Sequence, residues 1–118
     1  AQLALRALAM ASSYAANGGL LHAFDCLDDA CMAAFEPALH AIAPPEVRSV
    51  WLAARQEVSP SPLPADRDQR RALIMARYQD VKPRLDELDR QFYRCKWQLE
   101  VAMARHALAH RDELTERR

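Results

Sequence analysis

Asn17-Gly18-Gly19 is the stretch that decides the fold, because it separates two strongly apolar segments and holds the only two glycines among 118 residues. Glycine accepts a positive φ without steric penalty, so it ends a helix at little cost. We therefore predict that one helix covers residues 2–16 and stops at Asn17-Gly18. A second helix is expected to begin near Leu20, after a sharp reversal of the chain.

The composition favours an all-α domain. Apolar residues make up 51% of the chain, and no segment alternates polar and apolar residues as a strand does. A chain of this length fits one domain with a modest core. The sequence thus predicts a single helical domain over residues 1–118, a bundle of about five helices with a long C-terminal helix. A proline-rich loop, residues 59–64, separates the N-terminal helices from a C-terminal helical pair.

Prolines mark further helix boundaries. We expect Glu36-Pro37 to interrupt the second helix, with Pro37 as the first residue of a short helical turn. Pro45 suits the start of the next helix, and Asp66 suits the cap of the helix after the loop. Pro83 is expected to kink or split the segment that follows.

Two apolar faces at helical spacing predict the core. The helix after Pro45 carries one face, made of Val47, Val50, Trp51, Ala54 and Val58. The C-terminal helix carries a seam at alternating intervals of three and four, made of Leu85, Leu88, Phe92, Cys95, Leu99, Ala102, His106 and Ala109. We expect the seam to pack within the bundle. The alternative is an intermolecular coiled coil, and hence a homodimer.

The charges balance overall but not along the chain. There are 16 basic and 16 acidic residues, for a formal net charge of zero, which argues against direct nucleic-acid binding by phosphate neutralisation. Before Val47, however, Arg6 is the only Arg or Lys, and acidic residues dominate. The predicted partner-binding residues lie there, and they are Asp25, Asp28, Asp29 and Glu36. The first three form an acidic ridge on helix two, either a solvated face or a docking surface for a basic partner.

The three cysteines lack the spacing of a disulfide framework. We expect Cys26, Cys31 and Cys95 to be reduced, mostly buried thiols in a cytoplasmic protein. Cys95 lies beside Arg94 and Lys96, and such neighbours lower a thiol pKa. Its place on the seam nevertheless favours a small apolar core residue over a nucleophile.

His106 and His110 are four residues apart and share one helix face, the spacing at which two imidazoles chelate one metal ion. A metal site needs at least one further ligand, and the candidates are His22, Asp25, Cys26 and Asp29. The alternative places one histidine on the seam and the other in solvent near a helix end. We expect no cofactor, and His106 and His110 remain the candidate metal ligands.

No catalytic signature is evident, so we expect a protein that is not an enzyme. The segment from Ala1 to Ala16 lacks the basic leader of a signal peptide. No stretch approaches the roughly 20 apolar residues of a membrane span. We therefore expect a cytoplasmic protein without a membrane partner.

The order of several short segments along the chain is typical of a known protein family. Asn17-Gly18-Gly19 leads into an apolar helix, and an apolar segment, a proline-containing loop and an Arg-rich helix start follow at residues 38–43, 59–64 and 67–70. A Leu-Asp-x-x-Phe-Tyr pattern, residues 88–93, comes last. In this order the segments resemble a bacterial family of small all-helical proteins named for a DNA-mimic protein. The resemblance implies an all-α fold and binding to a protein partner. In the characterised case an acidic surface mimics DNA and occupies a transcriptional regulator.

Taken together, the sequence favours a non-enzymatic domain that binds another protein, for example an inhibitor or an immunity- or antitoxin-like protein. The acidic ridge and the outer face of the long C-terminal helix are the expected binding surfaces. DNA mimicry is one alternative, and Asp25, Asp28, Asp29 and Glu36 would carry it, although it requires dense negative charge. The other alternative is a metal-binding protein or metal-dependent enzyme that uses His106 and His110.

Overall fold

A computed structural model describes residues 2–111 of the protein, and this part of the chain contains five α-helices and no strand. The helices are α1 (Gln2–Gly18), α2 (Leu20–Cys26), α3 (Asp29–Ile42), α4 (Pro45–Val58) and α5 (Arg67–Ala109). The radius of gyration of the Cα atoms is 14.1 Å, as expected of one compact domain of this length. The predicted all-α class and the long C-terminal helix are confirmed.

The reversal predicted at the two glycines is present, and Gly19 makes it. Gly18 still belongs to α1, whereas Gly19 has a φ of 92° and separates α1 from α2. That φ lies in the left-handed region, where a side chain is strained. A Cβ atom on Gly19 would also lie 2.7 Å from Oδ2 of Asp89. The position therefore needs glycine both for its backbone and for the close approach of α5.

Two side chains of α5 hold this corner. The backbone N–H of Leu20 donates to Oδ1 of Asp89 over 2.8 Å, which satisfies one of the free amides at the start of α2. The hydroxyl of Tyr93 donates to the carbonyl of Ala16 over 2.8 Å. Burial raises the pKa of the Asp89 carboxyl, more than the hydrogen bond from Leu20 lowers it. The Leu-Asp-x-x-Phe-Tyr segment thus binds the glycine corner directly.

The second helix breaks earlier than its sequence predicts. The prediction of a single second helix that is interrupted at Glu36-Pro37 is wrong, because α2 ends at Cys26 and α3 runs through Pro37. Asp28 explains the break, since its carboxylate accepts a hydrogen bond from the backbone N–H of Cys31 over 2.8 Å and caps α3. Aspartate is among the favoured residues at this position.

The predicted C-terminal helical pair is also wrong, since α5 is one helix of 43 residues with Pro83 inside it. A straight helix of that length would measure about 65 Å. The molecule extends only 46 × 29 × 23 Å, so a straight α5 does not fit even along the diagonal. The helix is therefore bent, and Pro83 supplies a cause because it lacks an N–H and clashes with the preceding turn.

Trp51 lies at the centre of the core. Its ring packs edge-on against Phe35, Phe92 and Phe24, with centroids 4.9, 5.5 and 5.6 Å away. Every residue of the predicted α4 face is buried. The α5 seam is buried from Leu85 to Leu99, but Ala102 and His106 are only partly buried and Ala109 is exposed. The core is thus built largely from the two faces that the periodicity identifies.

Candidate functional site

The first predicted binding residue, Asp25, is engaged by the start of α5. Its carboxylate accepts hydrogen bonds from Nε and Nη2 of Arg71 over 2.8 and 3.0 Å. These hydrogen bonds hold the pKa of Asp25 below its ordinary value, against a smaller opposing effect of burial. Arg67 donates to the backbone carbonyl of Asp25 over 2.9 Å.

A second arginine of the same helix end is buried at the α2–α3 junction. The guanidinium of Arg70 donates to the carbonyls of Leu27, Pro64 and Ala65, and burial lowers its pKa. Cations are favoured where a helix exposes its last carbonyls. The Arg-rich start of α5 therefore caps the end of α2 and ties it to the proline-rich loop.

The other two aspartates of the ridge differ from each other. Asp28 is the cap of α3. The hydrogen bonds from Cys31 lower the pKa of Asp28 the most, and the charge of Arg6 lowers it by a smaller amount. Arg6 forms an exposed ion pair with Asp28 at 3.3 Å. Asp29 is exposed in the first turn of α3 and makes no ion pair with any residue in the described range 2–111.

Glu36 lies near the middle of α3 and pairs with α4. Both of its carboxylate oxygens accept hydrogen bonds of 3.2 Å from Arg55. The side chains of Arg55 and Glu36 are only 11% and 13% exposed, so little of this pair is accessible to a partner. The four predicted acidic residues therefore do not form one face: three meet at the α2–α3 junction, and Glu36 belongs to the α3–α4 contact.

The two candidate metal ligands lie next to each other at the end of α5. The ring centroids of His106 and His110 are 4.3 Å apart. Within residues 2–111, no group of three or more His, Cys, Asp or Glu side chains is arranged to hold a metal ion. Cys95 is fully buried on the seam, and burial raises the pKa of its thiol, which favours the core residue over the nucleophile.

The opposite side of α5 carries a surface that the core does not use, and we call it the outer face. Its large apolar side chains are exposed, and they are Tyr93, Trp97, Val101 and Leu108. Trp97 is 59% exposed and Leu108 68%. The spacing of these residues, which is close to a multiple of the helical repeat, places them in one stripe.

Arginines accompany this apolar stripe. Arg90, Arg94, Arg105 and Arg111 are all exposed, and within the described part of the chain none of them pairs with a carboxylate. By helical periodicity they fall on or beside the outer face. Glu100, the only acidic residue between Arg90 and Arg111, is already paired with Lys96 at 3.3 Å. The outer face is therefore apolar, aromatic and positively charged.

A shallow depression adjoins this face where the α3–α4 turn approaches α5. It has a volume of about 330 Å³ and is lined by Pro44, Trp97, Gln98, Val101, Ala102 and Arg105. It holds apolar surface beside one guanidinium and lacks a general acid or base. The arrangement suits the binding of a side chain rather than catalysis.

The fold and these surfaces define a class: a small all-α domain with an exposed aromatic and basic helix face. A family model described as DMP19-like protein matches residues 1–110, and the chain belongs to that family. No curated protein and no solved structure matches the chain. None of the helices described here is both long enough and apolar enough to cross a membrane.

The segments that carry the family resemblance have a structural role in this chain. Leu88 and Phe92 are buried in the core, while Asp89 and Tyr93 hold the glycine corner. Sequence reasoning identified these segments but missed the arginine cap of α2, because its donors and acceptors lie more than 40 residues apart. The exposed aromatics at helical spacing, with Arg at both ends, were the available signal for the outer face.

Proposed function

We propose that this protein is a non-enzymatic, cytoplasmic protein-binding domain and that the outer face of α5 is its binding surface. The observation that carries the proposal is the exposed row of Tyr93, Trp97, Val101 and Leu108, flanked by arginines that have no carboxylate partner among residues 2–111. Tyr, Trp and Arg are the residues that most often dominate the binding energy of protein interfaces.

Apart from Tyr93, whose hydroxyl also bonds to the glycine corner, the fold does not need this row of side chains. Leu88, Phe92, Cys95 and Leu99 bury the other side of α5 in the core, so the helix is anchored without Trp97 or Leu108. Exposed apolar surface of this kind marks interaction sites in proteins more often than a lone exposed residue does. The outer face is thus available to a partner while the bundle stays intact.

The charge of the outer face specifies the chemistry of the partner. Four exposed arginines favour a partner surface that carries Asp and Glu around an apolar centre, since complementary charge speeds association and fixes register. A small domain that covers an acidic functional surface of another protein acts as an inhibitor, in the manner of an immunity protein or antitoxin. The acidic ridge stays a second predicted surface, with Asp29 as its least engaged carboxylate.

Affinity capture from the native cell tests the proposal with matched variants. One variant is Trp97→Ala, and the other changes Asp25, Asp28 and Asp29 to Asn. We expect the wild type and the triple variant to capture the same protein and Trp97→Ala to lose it. Loss by the triple variant and retention by Trp97→Ala would contradict the outer face and favour the acidic ridge.

The mass of the protein in solution distinguishes self-association from binding to a different protein. If a second copy of the chain occupies the outer face, sedimentation of the wild type will show a dimer at high concentration and Trp97→Ala will remain monomeric. A wild type that is monomeric at all concentrations excludes the homodimer and leaves the heterologous partner.

Membership in the DMP19-like family supports a second candidate, a DNA mimic that occupies a transcriptional regulator. Mimicry requires carboxylates that stand where phosphates would, and in this chain Asp25 and Glu36 are already paired with arginines. A captured partner that duplex DNA displaces, and that the triple Asn variant fails to bind, would support mimicry over the outer face.

A further inference from the structure

Cys26 differs from the other two cysteines in its surroundings. All three thiols are free, but Cys31 and Cys95 are 1% and 0% exposed, and burial raises the pKa of both thiols. Cys26 is partly exposed at the last residue of α2. It is therefore the one cysteine of the described residues that a small molecule in solution can reach.

A histidine faces this thiol from one turn earlier in the helix. The Sγ atom of Cys26 lies 3.6 Å from Nδ1 and 3.7 Å from Nε2 of His22. A nucleophile and a base within hydrogen-bonding reach of each other are the basic elements of thiol activation. Because either ring nitrogen is close, either tautomer of the imidazole offers the thiol a proton acceptor.

The ring of His22 is exposed, and two residues of α1 lie against it. Tyr14 packs edge-on against it, with ring centroids 5.9 Å apart. On its other side the ring occupies the space that a Cβ atom on Gly18 would need, with Cγ of His22 only 2.6 Å from that position. The glycine that follows Asn17 thus makes room for the imidazole, and the thiol–imidazole pair is held by α1 as well as α2.

Positive charge lies beside the pair. Arg67 and Arg71 of α5 both reach Asp25, the residue before Cys26. The Asp25 carboxylate neutralises Arg71, whereas Arg67 bonds only to the Asp25 carbonyl and has no carboxylate partner within residues 2–111. A small molecule with its own carboxylates would find a complementary guanidinium next to the thiol.

We propose that Cys26 is a site of thiol–disulfide exchange with small anionic disulfides, of which oxidised glutathione is the probe. His22 takes the proton of the Cys26 thiol, and the thiolate attacks one sulfur of the disulfide. A new sulfur–sulfur bond forms to Cys26 as the bond within the disulfide breaks. The leaving thiolate accepts the proton from His22 and departs as a thiol, so no further oxidant is needed.

The experiment incubates the native protein with oxidised glutathione, stops the reaction with acid and locates the adduct by mass spectrometry of peptides. We expect the adduct on Cys26 to form at least about tenfold faster than on Cys31 or Cys95, since only an accessible thiol with a nearby base reacts readily. Cys26→Ser should abolish the fast adduct while its melting curve stays that of the wild type.

Two histidine variants test whether His22 acts as the base. His22→Gln should slow adduct formation several-fold, whereas His40→Gln, on the exposed side of α3, should react as the wild type does. Circular dichroism of both variants excludes unfolding as the cause of a changed rate. Equal rates for the three cysteines in the folded protein, or an unchanged rate in His22→Gln, would overturn the proposal.

Discussion

At the α2–α3 junction the protein engages its own acidic side chains, whereas along the outer face of α5 its basic side chains have no carboxylate partner among residues 2–111. Asp25 is bound by Arg71, and Asp28 caps α3 and pairs with Arg6. Arg94 and Arg105, by contrast, stand exposed beside Trp97 and form no such pair. The first set of charges is engaged within the fold, and the second set stays exposed.

This difference shows why a charge pattern in a sequence does not reveal which charges the folded protein leaves unpaired. The N-terminal part of the chain is rich in acidic residues, but the fold brings the Arg-rich start of α5 onto it. The C-terminal part is more mixed in sequence, yet its arginines end up on one exposed side of a helix. What matters for binding is the charge that remains after the protein has satisfied its own contacts.

The largest expected effect separates the two sides of α5. Phe92→Ala should lower the free energy of unfolding by about 3–5 kcal/mol, because it leaves a cavity beside Trp51. Trp97→Ala, five residues further on and on the other side of the same helix, should change it by less than about 1 kcal/mol. Urea unfolding of both variants measures the difference. A comparable loss in Trp97→Ala would show that the outer face belongs to the fold.

The next largest effect concerns the buried ion pair between α3 and α4. Glu36→Gln leaves the nearly buried guanidinium of Arg55 without its anion, and we expect a loss of about 3 kcal/mol. Glu100→Gln breaks the exposed pair with Lys96 and should cost less than about 0.5 kcal/mol. If the two variants unfold alike, the Glu36–Arg55 pair stabilises the fold no more than an exposed pair does.

A smaller effect depends on pH. Because Arg71 lowers the pKa of Asp25 in the folded protein, their pair adds stability that is present above the unfolded pKa of about 4 and is lost as the pH falls through the folded value. Wild type should exceed Asp25→Asn in stability by at most about 1 kcal/mol at pH 6.

The difference should vanish at a pH below the folded pKa of Asp25. Chemical unfolding at a series of pH values measures it. Asp29→Asn is the control, since Asp29 is exposed and forms no ion pair within the described range. A difference between wild type and Asp25→Asn that stays constant with pH would rule out the ion pair as its source.

The smallest effect on stability is expected at the outer face itself. Arg94→Gln and Arg105→Gln should each leave the free energy of unfolding within about 0.5 kcal/mol of the wild type. Both should weaken capture of the partner, most strongly at low salt, where exposed charges are least screened. Thermal unfolding and capture at two salt concentrations check both statements. Unchanged capture would restrict the binding role to the apolar residues.

The sequence predicted those parts of the fold that depend on local pattern. The five buried apolar residues of α4 follow from their spacing alone, and the seam of α5 is correct from Leu85 to Leu99. The reversal at the glycines is also correct, although the positive φ belongs to Gly19 and not to Gly18. These features are set by steric rules and periodicity that act over a few residues.

The features that the sequence did not predict depend on distant residues or on competing local signals. Pro37 suggested a boundary, but Asp28 set the boundary instead, and α3 accommodates the proline while burying Phe35, Ala38 and Leu39. The partners of Asp25 lie 42 and 46 residues away along the chain, so no local pattern reveals that this carboxylate is occupied. The binding role of either surface stays a prediction.

The contact between Asp89 and the glycine corner also sets an order of events during synthesis. The amide of Leu20 and the carboxylate of Asp89 are 69 positions apart in the sequence. The hydroxyl of Tyr93 and the carbonyl of Ala16 are 77 positions apart. As the chain leaves the ribosome, α1 and α2 emerge long before the residues that join them. The hydrogen bonds between the glycine corner and α5 therefore form only after the middle of α5 has been synthesised. A chain that ends before Asp89 does not form them.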